Sequence, residues 1–247
     1  MADIVQTVSG KISPNVFGRN LRRKHLLTRP YGNRPPRRYY LIVCEGEKTE
    51  PNYFKSIAAK LPREMVNHVT VRGFGRSPSG LIEEAKKEIK KRREARLPDY
   101  YYVWLVFDKD EIPDGEFNRV VDMMPELSGK KKAGERSIAQ WECAWSNEAF
   151  ELWYLLHFCD QLGGAVRREN LRKMLEDAVR TNTEEKNFVY KKNDSNMFAR
   201  LERFTPEAID RAERTLVRQF QTKGNSWASM NPATTVHKLV RGLLAYL

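Results

Sequence analysis

The sequence predicts an α/β fold in which a mostly parallel sheet is flanked by helices and followed by a mainly helical C-terminal part. Three observations carry this. Tyr39–Cys44 and Tyr101–Phe107 are continuous apolar runs of the kind found in strands buried on both faces. Stretches with helical periodicity alternate with these runs, which implies crossover connections between parallel strands. Beyond about residue 160 the apolar spacing is helical almost throughout.

In order, the first strand at Tyr39–Cys44 runs into the polar turn Glu45-Gly46-Glu47-Lys48. Thr49 reads as the N-cap of a helix with Pro51 in its first turn and Phe54, Ile57 and Leu61 on one face. Val69 and Val71 mark a short strand, and Leu81, Ile82, Ala85 and Ile89 the buried face of a second helix. The strand Tyr101–Phe107 ends in Asp108-Lys109-Asp110, followed by an amphipathic segment over Phe117–Met124. Another strand is expected at Ile138–Trp145, then a largely buried helix over Asn147–Phe158 with Asn147 as its N-cap. Leu171–Val179, Pro206–Phe220 and Thr235–Tyr246 read as helices, with Thr205 capping the second and Asn231 and Pro232 the third. The polar stretch Asn182–Asn196 reads as a loop.

The 247 residues suffice for a core with a site cut into it. No apolar segment approaches the length of a membrane span, so a soluble, cytoplasmic protein with no membrane partner is expected. Cys44, Cys143 and Cys159 are odd in number and form no CxxC, which argues against a disulfide framework or zinc site. The net charge of +12 favours a polyanionic partner, nucleic acid first. Half of that excess lies in residues 1–36, where seven basic residues face one acid. This stretch reads as a basic arm, with Arg22, Arg23 and Lys24 as phosphate contacts. Arg37, Arg38, Arg72 and Lys109 are further candidates for a nucleic-acid path.

Ligands of open parallel sheets bind outside the carboxyl ends of the strands. Glu45 and Asp108 both stand there, and Asp110 is two residues on. Adjacent strands would bring these carboxylates into one cleft, whose hard oxygens suit Mg²⁺ or Mn²⁺. A cation so held neutralises charge building on a phosphodiester under attack. Gly46 permits close approach of a phosphate, and Lys48 is placed to contact one. A lone Asp-x-Asp after a strand is more often a turn or cap, so the weight rests on two successive strand ends.

Val43-Cys44-Glu45-Gly46 before a helix, with Asp108-Lys109-Asp110 ending a later strand, resembles the Toprim module of topoisomerases, primases and OLD-family nucleases. The segments Cys44–Phe54, Asn147–Phe158 and Asn231–Val236 further resemble the RloB-like family over roughly residues 37–245. The resemblance implies a Toprim-like catalytic core over 37–160, with 161–247 packed on it. It also implies a metal-dependent endonuclease of phage defence, in which related proteins act beside a separate ATPase of the AAA or ABC type. Glu45 matches the family's metal-binding or acid/base glutamate, and Asp108 and Asp110 its metal-binding pair. Glu50, within the first motif, is a further metal and catalytic candidate, and Glu151 a further catalytic one, because an acid among Phe150, Leu152 and Trp153 is costly to bury without purpose.

His157, inside Leu155–Phe158, reads as a core residue before a general base. Gly73-Phe74-Gly75-Arg76-Ser77 lacks the Lys-Ser/Thr end of an ATP-binding loop, so an ATPase has to be another chain. A topoisomerase needs a nucleophilic tyrosine on a second domain, for which the remaining chain is too small. Outside enzymes, the alternative is a nucleic-acid-binding sensor or adaptor that regulates a partner ATPase. DNA and RNA, tRNA included, are equally compatible with the charge, and oligomeric state is not legible.

Overall fold

The computed structural model describes residues 38–62, 68–129, 139–160, 164–224 and 226–246. The basic arm, including Arg22, Arg23 and Lys24, and Arg37 lie outside them. The sheet is built from β1 (Tyr40–Cys44), β2 (Val69–Gly73), β3 (Tyr102–Asp108), β4 (Gln140–Asn147) and β5 (Ala233–Thr234), in the order β2-β1-β3-β4-β5. The first four strands are parallel and β5 is antiparallel to β4, so the sheet is mostly parallel as expected.

All residues of β1 and β3 are buried, which is why these strands read as unbroken apolar runs. Alternate residues point to opposite faces. Tyr40, Ile42, Tyr102, Trp104 and Val106 join the core that includes Tyr53, Phe54 and Ile57 of α1 (Thr49–Lys60). That layer is completed by α5 (Glu151–Leu155), α6 (Arg168–Asn182), α7 (Met197–Leu201), α8 (Thr205–Lys223) and α9 (Val236–Leu244). Leu41, Val43, Val103, Leu105 and Phe107 face the other core, under α2 (Pro78–Glu94), α3 (Asp114–Asp122) and α4 (Met124–Ser128). Among the described residues no helix is long and apolar enough to cross a membrane.

Four expected caps are corrected, three of them by tertiary contacts. Thr49 is already helical, and its hydroxyl donates to the Lys192 carbonyl at 2.6 Å instead of capping its own helix. Asn147 ends β4, with its amide donating to the Ala228 carbonyl at 2.7 Å, and the helix behind it is only Glu151–Leu155. Asn231 precedes β5 instead of capping α9, and its side chain bridges the N–H and C=O of Val166 at 2.9 and 3.1 Å. Thr205 likewise lies inside α8, its hydroxyl turned back to the Leu201 carbonyl. The expected strand Ile138–Trp145 begins at Gln140 and extends to Asn147, and Ile138 is outside the described residues.

His157 is 1 % exposed, packs edge-on against Trp153 and shares Nδ1 with the Trp153 carbonyl, the core role expected for it. Burial pushes its pKa down to about 3, and burial drives His237 well below the ordinary value too. Both favour the neutral ring in the fold. Their stabilisation is therefore complete above the unfolded histidine pKa of about 6.5 and is lost as pH falls from there toward 3. Buried carboxylates act in the opposite sense, so the difference between wild type and His157→Gln isolates the effect. Thermal melts from pH 7 to pH 4 are expected to fall more steeply for wild type, and parallel curves would refute a buried neutral His157.

Candidate metal and nucleic-acid site

Two neighbouring strand ends create the site. Glu45 directly follows β1, and its N–H still donates to the Val106 carbonyl at 2.8 Å, extending the β1–β3 ladder by one residue. Asp108 is the last residue of β3, and its N–H donates to Glu45 Oε2 at 3.1 Å. The Glu45 carboxylate thus meets the backbone of a residue 63 positions away because their strands are adjacent. Asp110 adopts a left-handed backbone with φ of 31°, a conformation aspartate tolerates better than most residues, and its N–H donates to the Glu148 carbonyl at 3.1 Å. Glu50 in the first turn of α1 and Glu151 at the start of α5 are both buried. A pocket of about 290 Å³ is lined by Glu50, Asp108 and Glu151 together with Lys48, Arg168 and Lys192.

Such a cluster is electrostatically costly, and the protonation equilibria reflect it. Burial, then the charges of Glu50 and Glu151, hold the Asp108 carboxyl well above its usual range. Burial and the carboxylates of Glu45 and Glu151 push Glu50 up to about 7, although the N–H groups of Glu50 and Gly46 favour its charged form. Burial also raises Glu45, against the hydrogen bond from Asp108. Asp108 Oδ1 is buried without a hydrogen-bond partner among the described residues. Arg168, at the start of α6, supplies the counter-charge: it bonds the Asp110 carboxylate and stands 3.7 Å from Asp108. Its backbone N–H is held by Glu148 Oε2 at 2.8 Å.

A hard cation fits this donor set by chemistry, since the groups are carboxylates and one buried oxygen lacks a partner. The side-chain arrangement itself, among the described residues, gathers no three His, Cys, Asp or Glu as ligands around one point. Arg168 occupies the space between Asp108 and Asp110.

Gly46 is needed where it stands. A Cβ there would come within 2.1 Å of Glu50 Oε2, and Glu50 is too buried to swing aside freely. The site loop is packed equally tightly from behind, because a Cβ on Gly73 would meet the Gly46 carbonyl oxygen at 2.4 Å. Gly46→Ala is expected to displace the Glu50 carboxylate and lower any activity of the site by roughly 10- to 100-fold in kcat. The far-ultraviolet spectrum should stay unchanged, whereas wild-type kcat in this variant would mean that Glu50 is not required there.

The remaining candidates are dispersed. Lys48 lines the pocket. Lys109 is turned away to Asp114 at 3.0 Å and is largely covered. Arg72 stays half-exposed beside Glu88 at 3.7 Å. Arg38 packs on Tyr101 and donates to the Tyr102 hydroxyl at the start of the strands, roughly 15 Å or more from Glu45 given about 3.3 Å per strand residue. The structure does not bring it to the acidic cleft. Tyr100, Tyr102 and Trp104 are buried, as core packing requires. Nothing local in the sequence distinguishes Arg168 and Lys192 from other cations.

Compared with known proteins, the chain matches the family model described as RloB-like protein over residues 40–243. No curated protein and no solved structure matches it.

Proposed function

Because the chain belongs to the RloB-like family, and because its two central strand ends bring together a buried acidic cluster, we propose that it is a nuclease dependent on Mg²⁺ or Mn²⁺ that hydrolyses phosphodiester bonds in nucleic acid. The observation that carries this reading is the meeting of Glu45 and Asp108 at adjacent strand ends, with a buried Asp108 oxygen left without a partner. No polyanion-binding role by itself explains carboxylates gathered in the groove, since they repel a phosphate unless a cation intervenes.

Glu45, Asp108, Asp110 and Glu50 are the residues that would hold the cation, which would share with Arg168 the neutralisation of Asp108 and Asp110. When bound, the ion supplies charge neutralisation at the phosphate and a more acidic water. Glu50 and Glu151 line the pocket beside Asp108, where Glu50, if it does not hold the ion, is placed to accept a proton from the attacking water. Lys48 contacts the phosphate. The same family membership motivates a defence role in the cytoplasm alongside a separate AAA- or ABC-type ATPase.

One observation favours a second reading. The guanidinium seated between Asp108 and Asp110 already neutralises the cluster in part, as in a nucleic-acid-binding adaptor that performs no cleavage. Purified protein incubated with plasmid, single-stranded DNA and total tRNA separates the two. Cutting in Mg²⁺ or Mn²⁺ that stops in EDTA is expected. Binding without cutting of any substrate would overturn the nuclease in favour of the adaptor.

A further inference from the structure

Lys192 belongs to none of the motifs that mark the acidic centre, yet it lines the same pocket as Glu50, Asp108 and Lys48. It sits in the irregular segment 183–196 between α6 and α7. Irregular backbone needs partners for its carbonyls, and here α1 provides them. Thr49 Oγ1 donates to the Lys192 carbonyl at 2.6 Å, Asn52 Nδ2 to Asn193 at 3.3 Å and Ser56 Oγ to Ser195 at 3.1 Å. Residues 49, 52 and 56 share one helix face, while Tyr53, Phe54 and Ile57 are buried on another. Arg200 clamps the segment from the far side through Asp194 at 2.9 Å and Glu185 at 2.5 Å. Phe188 and Tyr190 bury their rings in the main core. The helix that begins at the catalytic loop therefore also fixes where Lys192 stands.

The charges around the pocket say what that placement is for. Arg168 is engaged by Asp108 and Asp110. Away from the pocket, Lys60, Lys86, Lys87, Lys91 and Lys109 pair with carboxylates. Among the described residues, no ion pair engages Lys48 or Lys192. Two uncommitted ammonium groups at the mouth of an acidic pocket are what a phosphate strand needs to approach it against like-charge repulsion.

We propose that Lys192 is a phosphate-binding residue of this site, acting with Lys48 on the sugar–phosphate strand, and that Thr49, Asn52 and Ser56 are positioning residues that hold it there. The proposal rests on the nucleic-acid reading above but not on cleavage.

The test is the anisotropy of fluorescein-labelled single-stranded DNA and RNA of about 20 nucleotides, titrated in EDTA across a salt series, long enough to fill a strand groove. Lys192→Ala is expected to weaken binding about three- to tenfold and to lower the slope of log K against log salt by about 0.7, one lost phosphate contact. Lys192→Glu weakens it further and Lys192→Arg restores it. Thr49→Val should reproduce the smaller slope with an unchanged melting temperature, and Thr49→Ser should rescue it. Wild-type affinity and slope in Lys192→Glu would overturn the proposal even if the protein cuts. A Lys192-dependent slope without cutting in any metal would keep it and remove the nuclease. A wild-type protein that binds neither strand removes both.

Discussion

Asp108→Asn is expected to lower metal-dependent cleavage by about 10²- to 10³-fold while leaving thermal stability at or above that of wild type. Removing a single preorganised electrostatic partner of a transition state costs about 10²–10³ in rate. Asp108 is, in addition, a buried carboxylate of the cleft, 8 % exposed and acted on by the charges of Glu50, Glu151 and Glu45. The stability prediction runs the other way. A charged Asp108 is buried beside like charges with one oxygen unpartnered, so a neutral amide of the same shape relieves repulsion. Arg168 keeps its stronger contact to Asp110. Measuring kcat/KM and melting temperature on one preparation separates a catalytic role from a structural one. Activity near wild type, or a melting temperature several degrees lower, would mean that Asp108 serves the fold.

Arg168→Ala is expected to destabilise the protein, and the effect is conditional on metal. Without its guanidinium, the Asp108 and Asp110 carboxylates lose the cation that now offsets them. Losing one partner of a fully buried pair costs about 3–5 kcal/mol. Arg168 keeps 36 % of its side-chain exposure, so solvent screening reduces the expected loss to about 1–2 kcal/mol. Millimolar Mg²⁺ or Mn²⁺ should recover most of it, because the ion takes over the same neutralisation. Denaturant melts in EDTA and in metal measure both quantities. Equal stability of variant and wild type in EDTA would mean that Arg168 is not the counter-charge of the cleft.

The fold was legible where burial is total. β1 and β3 are apolar on both faces, so their continuous runs announced strands, and the polar residues that end them announced Glu45 and Asp108. Asp110 followed from its spacing to Asp108. Residues whose role depends on a distant partner were not legible. Asn147 and Asn231 look like helix caps because asparagine satisfies local backbone cheaply, but partners at Ala228 and Val166 claim their amides. Thr49 fails as a cap for the same reason, claimed by a carbonyl 143 positions away. Arg168 reaches the cleft from 58 positions beyond Asp110, with no periodicity to mark it. Lys109, inside the acidic motif, is drawn off by Asp114 in the next helix.

The acidic cleft as a cation site is tested by the binding of Mn²⁺ to the purified protein, followed by loss of the free-ion electron paramagnetic resonance signal. Saturable binding is expected, displaced by Mg²⁺ and abolished by Asp108→Asn with Glu45→Gln. Free Mn²⁺ undiminished up to millimolar protein, or binding indifferent to those two substitutions, would contradict it.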